Sequence, residues 1–429
     1  MLIGSTSLRL SPPSLVFPFF LLSGISFFIA AIMLCISYDH FGLHYAHPKL
    51  IAITHVLILG FITPIIFGSL YQMLPILFEV ELKHIKLGML SFYSLLLGLI
   101  LLIPNFWTFK IGLWFHAGAC ITLLAFVFFS FVFLNPFLKS PRWSVEYDFI
   151  FCSVMWLLLT GLIGVLLIFN FSHLFIPISH IEILKIHSHM GIIGWVLELI
   201  IGISSKLIPM FVISKNINTK NLKYSFYLIN IGLVLFGASI YLSQDIQWIY
   251  LAIGIIEVGV CLFLYFMYTI FSKRLRRTMD TSLWMSFGSF VILLLLLPIA
   301  VLVPSSILQE STLMSLRIVY GVLILLGFSG SLILGQALKL VPFIVWMYRF
   351  QKISGHQPTP MPKDLVSEKI STYIQYLFWI GLTGLIVFIM GSFPIGILLS
   401  SCILVVSAIL FNINIIKALM YPLSPIKHE

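Results

Sequence analysis

The chain is poor in charge and in cysteine. Only 9% of its 429 residues are charged, with 14 Asp and Glu against 24 Lys and Arg. So little charge cannot cover a water-soluble protein of this length, and 60% hydrophobic residues with a mean hydropathy of +1.13 are typical of a chain immersed in lipid. The sequence contains neither the CxxC spacing of redox and zinc motifs nor the CxxCH motif of c-type heme. We therefore expect no disulfide framework among Cys35, Cys120, Cys152, Cys261 and Cys402.

Apolar runs of about 20 residues, long enough to cross roughly 30 Å of hydrocarbon, recur along the chain. We predict an all-α, polytopic membrane protein with twelve transmembrane helices in a single domain over residues 1–429. No signal sequence with a cleavage site precedes the first run, so helix 1 is expected to direct insertion. The predicted helices lie at approximately 14–37, 49–78, 87–104, 110–134, 148–169, 184–213, 224–242, 248–272, 282–304, 313–346, 371–391 and 394–418.

One pattern occurs three times. A reference residue is followed by Gly, Gly and Pro at 5, 13 and 20 positions, and the copies start 134 and 133 residues apart. This spacing predicts three pseudo-repeats of four helices, at about 14–134, 148–272 and 282–418, with the pattern on helices 2, 6 and 10. The glycines permit close approach to a neighbouring helix or a flat cofactor. The copies are His55/Gly60/Gly68/Pro75, His189/Gly194/Gly202/Pro209 and Val322/Gly327/Gly335/Pro342.

Lys and Arg are distributed unequally between the two ends of the predicted helices. Eighteen lie at the termini and in the loops after the even-numbered helices, whereas the opposite side holds only Lys49, Lys110, Lys185 and Arg317. This bias predicts that both termini lie in the cytoplasm. Because it also accounts for most of the net charge of +10, we expect membrane lipids rather than nucleic acid as partners.

Histidines gather on the predicted outer side, where nine of the twelve lie. His55, His116 and His189 should share one depth, about 7 to 10 Å below the outer ends of helices 2, 4 and 6. Polar side chains inside a membrane usually face the interior of the bundle. The three imidazoles are therefore candidate ligands of heme or copper, and a hydrogen bond to a neighbouring helix is the alternative for each.

His187 and His189 stand two residues apart, about 200° around an α-helix, so one helix cannot aim both at one metal unless its end unwinds. Because His189 holds the repeat position, we predict it as the ligand and His187 as a gating, hydrogen-bonding or second-site residue. Glu198 follows His187 on the same face of an ideal helix, and this line could carry protons. A buried Glu bonded to a neighbouring hydroxyl is the alternative, and Glu257 of helix 8 has the same two interpretations.

Twelve helices in three four-helix arcs, with histidines near the outer ends of helices 2 and 6, resemble subunit I of the heme-copper oxidases across most of the chain. Helix 6, HSHMGIIGWVLELIIGISSKLIPMF, is similar to the family helix that supplies the first copper ligand, which maps to His189. Helix 2, THVLILGFITPIIFGSLYQMLP, is similar to the one that supplies a low-spin heme ligand, which maps to His55. The His-x-His with trailing Gly and Pro also resembles the NnrS family, described as heme- and copper-containing membrane proteins linked to nitric oxide stress.

The sequence departs from the oxidase pattern at two helices. The family carries a His pair on helix 7 and a His-x-His on helix 10, but residues 224–242 and 313–346 contain no His, and Val322 holds the repeat position. A binuclear oxygen-reducing centre needs both sets of ligands, and Val cannot bind iron or copper. We therefore do not expect the protein to reduce oxygen.

The expected function is binding of heme b, copper or both near the periplasmic side, in respiratory or nitric-oxide-related redox chemistry or in metal handling. His55 and His189 are the predicted cofactor ligands, His116 and His187 are further metal ligands, and a redox partner subunit is an expected partner. One alternative is a cofactor-free transporter or oxidase-assembly partner that uses the histidines and Glu198 for proton or metal-ion passage. A third is that the histidines serve only packing.

Overall fold

The computed structural model describes residues 11–78, 81–139, 143–215, 217–243 and 245–421. Arg9, Arg142 and Lys427, which contribute to the predicted orientation, lie outside these residues. Twelve helices in this part of the chain are long and apolar enough to cross a membrane, which confirms the predicted all-helical, multi-pass architecture. They are α1 (Pro13–Ile36), α2 (Pro48–Met73), α3 (Ile85–Thr108), α4 (Leu113–Phe137), α5 (Val145–Ser172), α6 (His180–Val212), α7 (Lys220–Ser243), α8 (Ile246–Ser272), α9 (Thr281–Leu302), α10 (Glu310–Arg349), α11 (Glu368–Met390) and α12 (Pro394–Leu419).

Three helices form the centre of the bundle, and they are the three that carry the Gly-Gly-Pro pattern. The most apolar windows of α2, α6 and α10 are 72, 78 and 83% buried, whereas no other helix exceeds 56%. With 40 residues, α10 is also the longest of the twelve. At about 1.5 Å per residue it extends beyond the roughly 30 Å of a membrane's hydrocarbon. Protein rather than lipid therefore surrounds most of these three helices.

The outer helices follow one another around the central three. α1 packs against α2 and α12, α5 packs against α6 and α4, and α9 packs against α10 and α8. The pairs α3 with α4, α7 with α8, and α11 with α12 are also in close contact. Because the last helix meets the first, the outer helices form a closed ring.

The glycines of the pattern place each central helix directly on an outer helix. A methyl group added at Gly68, Gly202 or Gly335 would come within 3.2, 3.0 or 3.2 Å of a backbone oxygen. The glycines eight residues earlier face the same outer helices. The predicted close approach is thus confirmed, and the partner at these positions is a helix. The backbone oxygens belong to Val16 of α1, Glu146 of α5 and Ser282 of α9.

Each central helix changes its winding directly after the reference residue. π-helical segments occupy Val56–Ile62, Met190–Leu197 and Leu323–Gly330. Such segments are rare and occur frequently at functional sites. A π-turn holds more residues than an α-turn, so side chains beyond it point in directions that an ideal α-helix does not give. The predicted alignment of His187 with Glu198 assumed a continuous α-helix and therefore does not apply.

Candidate functional site

Two histidines from different central helices face each other. His55 is the last residue of the first α-helical part of α2, and His187 lies two residues before the end of the first α-helical part of α6. Their ring centres are 6.4 Å apart and their planes differ by 17°. Both side chains are half-buried within the bundle. The structure thus brings His55 next to His187, whereas the repeat position had suggested His189 as its partner.

A hydrogen bond from Nδ1 fixes each ring of the pair. Nδ1 of His55 donates to Ile51 O at 2.8 Å, and Nδ1 of His187 donates to Thr160 O of α5 at 3.1 Å. Because a carbonyl oxygen can only accept, Nδ1 carries the proton and the neutral ring keeps a lone pair on Nε2. Within the described part of the chain, neither Nε2 makes a hydrogen bond. This is the tautomer in which histidine binds a metal through Nε2.

Two outer helices hold the pair from the sides. Phe106 of α3 stacks on His55, with the ring centres 4.4 Å apart. A methyl group at Gly164 of α5 would lie 2.9 Å from Cε1 of His187, so the missing side chain makes room for the imidazole. Oγ1 of Thr160 is buried and has no hydrogen-bond partner among the described residues. Buried polar atoms usually have a partner, so this hydroxyl is available to a bound ligand.

His189 faces another neighbour. Its ring centre lies 4.6 Å from that of Phe236 of α7 and 6.3 Å from that of Tyr320 of α10. Its Nδ1 donates to Lys185 O at 2.8 Å. Since residues two apart point in nearly opposite directions on a helix, His187 turns towards α2 when His189 turns towards α10. His187 is therefore the histidine of α6 that lies beside His55.

In the contact of His55 with His187 and in that of His189 with Tyr320, one partner stands two positions before a reference residue. In α6 it is His187, which meets the reference residue of the preceding copy, and in α10 it is Tyr320, which meets His189. In α2 the same position holds Ile53. Tyr320 was missed because the three copies were compared only at the reference position. A comparison of the three copies two residues earlier would have indicated it.

His116 lies apart from the pair. Its Nδ1 donates to Gly112 O at 2.6 Å, and its Nε2 is bonded to Ser172 Oγ of α5 at 2.9 Å. Both ring nitrogens therefore have partners, and the side chain links α4 to α5. Among the described residues no group of three or more His, Cys, Asp and Glu is arranged to hold a metal. The four predicted metal ligands, His55, His116, His187 and His189, thus do not form one cluster.

Glu198 belongs to a buried polar cluster between α5, α6 and α7. Its Oε1 accepts a hydrogen bond from Nδ2 of Asn230 at 2.5 Å. Oδ1 of Asn230 in turn accepts from Nε1 of Trp156 at 2.9 Å and from Sγ of Cys152 at 3.0 Å. Oε2 of Glu198 is buried without a hydrogen-bond partner in the described residues, as is Oε1 of Glu257. The partner of Glu198 is thus an amide, whereas the sequence suggested a hydroxyl, and Asn230 and Trp156 were missed.

The fold and this site define a multi-pass helical membrane protein in which a pair of histidines lies between two of its central helices. No family model matches the chain. The chain is similar to an uncharacterized protein of Aquifex aeolicus (strain VF5), with 26% identity over 326 residues. The aligned region covers 75% of this chain and 78% of the relative. The similarity therefore extends through most of the bundle and assigns no activity.

Proposed function

We propose that the protein binds a redox metal, as heme b or as a copper ion, between His55 and His187. The spacing of the two rings carries this proposal. Imidazole nitrogens bind such metals at about 2.0–2.1 Å, so two rings on opposite sides of one ion have their centres about 6 Å apart. The observed separation is 6.4 Å. Both Nε2 atoms keep the lone pair that a metal requires.

The donor set suits either form of the metal. Neutral imidazole binds copper and heme iron well, and the bound metal would supply one-electron redox chemistry. The hydrogen bonds to Ile51 O and Thr160 O orient the two ligands and raise their basicity. Phe106 covers one face of His55 and limits access of water to that ring. Thr160 Oγ1 can donate a hydrogen bond to a ligand held beside His187, and a redox partner subunit would exchange electrons with the site.

We also propose that the bundle has the three-repeat arrangement of heme-copper oxidase subunit I and lies in the bacterial inner membrane with both termini in the cytoplasm. Three observations support the repeats. Gly68, Gly202 and Gly335 make equivalent contacts with outer helices, each π-helical segment begins directly after the reference residue, and the order of helix packing recurs. Only the contact between the first two repeats joins two histidines. One metal site is therefore expected, and oxygen reduction of the oxidase kind is not.

Purified protein from cells supplied with heme precursor and copper tests the metal site. We expect either a Soret absorption band or about one copper per chain by elemental analysis. The signal should be lost in His55→Ala and in His187→Ala. It should persist in the control His116→Ala, because both nitrogens of that ring are already bonded within the protein. Wild-type protein that contains neither heme nor stoichiometric copper would contradict the proposal.

A second candidate function is proton or metal-ion passage without a cofactor, in a transporter or an oxidase-assembly partner. The buried, unpartnered Oε2 of Glu198 favours it, because a carboxyl inside a membrane usually serves an ion or proton path. Proteoliposomes with an imposed pH gradient provide the test. Proton uptake should cease in Glu198→Gln and persist in Glu182→Gln, a control whose carboxylate is paired with Lys185 at 2.6 Å. Equal uptake by both variants would exclude a proton path through Glu198.

A further inference from the structure

Two thiols from opposite ends of the chain meet where the ring of outer helices closes. Sγ of Cys35 in α1 lies 3.8 Å from Sγ of Cys402 in α12, although the residues are 367 positions apart in the sequence. The contact is therefore produced by the closure of the ring. Cys120 and Cys261 are exposed on other helices and provide matched comparisons.

The pair lies near the membrane boundary. Cys35 is the last residue but one of α1. Asp39, four residues further along the chain, has 57% of its side chain exposed. The helix ends at Ile36 and Asp39 lies in the turn that follows, so a charged, exposed group comes soon after the thiol. Cys402 is itself exposed, so the pair lies on the outer surface of the bundle.

Although the sequence predicted no disulfide framework, we propose that Cys35 and Cys402 form one disulfide that joins the first helix to the last. A disulfide has its sulfur atoms about 2.05 Å apart, so the two thiols have to approach each other by about 1.8 Å. Rotation of one cysteine side chain and a small shift of α1 against α12 supply that movement. In the proposed orientation, the pair lies at the outer side of the membrane, where disulfides form and persist.

The bond forms by thiol–disulfide exchange with an oxidised dithiol protein outside the membrane. The thiolate of one cysteine attacks a sulfur of the oxidant's disulfide, which gives a mixed disulfide and releases one thiolate of the oxidant. The second cysteine then attacks the sulfur of the first and releases the other sulfur of the oxidant. Two electrons pass from the cysteine pair to the oxidant, which leaves as a dithiol with the two protons.

Sequential thiol labelling of the full chain in membranes tests the proposal. Free thiols are blocked with N-ethylmaleimide in denaturant, the protein is reduced, and the released thiols are labelled with polyethylene glycol maleimide. We expect two labels per wild-type chain and none in Cys35→Ser or Cys402→Ser. Cys120→Ser and Cys261→Ser should keep both labels. Mass spectrometry of unreduced peptides should contain the linked Cys35–Cys402 pair.

The decisive measurements use the wild-type protein, so a variant that fails to fold does not obscure them. Complete blocking of all five cysteines before reduction would overturn the proposal. Two labels combined with a dimer that disappears on reduction would also overturn it, because the bond would then join two chains. Neither result depends on whether His55 and His187 hold a metal.

Discussion

The ring of His189 lies 6.3 Å from the ring of Tyr320 with 27° between the planes, and this relationship nearly repeats that of His55 and His187, at 6.4 Å and 17°. In each case a reference residue meets the residue two positions before the reference residue of the next copy. The third contact of this kind would join Val322 to Ile53, and neither can bind a metal. The contact between the first and second copies therefore contains two imidazoles, and that between the second and third contains an imidazole and a phenol. The contact between the third and first would contain two apolar side chains.

The two histidines of α6 should differ in their effect on metal binding. His187→Ala should lower the metal content by at least about tenfold, because it removes one of the two proposed ligands. His189→Ala should leave the content close to that of the wild type, since its ring faces Phe236 and Tyr320. Heme absorption and copper analysis on both purified variants provide the measurement. A loss in His189→Ala with retention in His187→Ala would support the ligand predicted from the repeat position instead.

The close contact of α6 with α5 should tolerate no side chain at Gly202. A Cβ at Gly202 would lie 2.7 Å from Cγ1 of Ile150 and 3.0 Å from Glu146 O, so Gly202→Ala should cost about 1–3 kcal/mol of stability. Gly254→Ala is the matched control, because nothing lies within 4 Å of a Cβ there. Thermal unfolding in detergent should show a lower midpoint for Gly202→Ala only. Equal midpoints would show that the helices separate more easily than this packing implies.

The amide of Asn230 should be essential to the buried cluster around Glu198. Asn230→Leu removes the donor to Glu198 and the acceptor of Trp156 and Cys152, and each polar group left unpaired costs about 1–3 kcal/mol. We expect a lower unfolding midpoint in detergent. Adding Glu198→Leu to Asn230→Leu should recover part of the loss, because one unpaired group is then gone. A double variant no more stable than Asn230→Leu alone would contradict this coupling.

The start of α2 should loosen in mild acid. Nδ1 of His47 accepts a hydrogen bond from Lys49 N at 3.4 Å. Burial, together with His40 and Lys49, lowers the pKa of His47 from its ordinary value of 6.5. The unfolded chain therefore binds this proton more readily, and the contribution of His47 to stability is present above pH 6.5 and falls as the pH drops below it. Amide hydrogen exchange at Lys49, corrected for its intrinsic pH dependence, should become faster between about pH 6.5 and 5.

Asn at position 47 provides the control for this effect. The amide oxygen of His47→Asn can accept the same hydrogen bond and does not titrate in this range. Its corrected exchange rate should be independent of pH. The same acceleration in both proteins would assign the effect to another group.

Much of the fold could be predicted from the sequence, because membrane thickness and backbone hydrogen bonding restrict the chain to long apolar helices. All twelve helices were found, as was the close packing at Gly68, Gly202 and Gly335. The pairing of His55 could not be predicted in the same way. It depends on the rotation of α6 relative to α2, which the packing of the whole bundle sets. The repeat indicated which residues occupy equivalent positions in the three copies. Residues at equivalent positions need not be in contact with each other.

Closure of the ring through α1 and α12 sets an order for biosynthesis. The first helix enters the membrane while its lateral neighbour is still hundreds of residues from being translated. Until Pro394–Leu419 emerges, one side of α1 is covered by lipid or by a helper protein. A chain truncated before that segment keeps eleven helices, but α1 then lacks its neighbour α12. Cellular quality control that recognises unpaired membrane helices would therefore act on α1, the first helix to be synthesised.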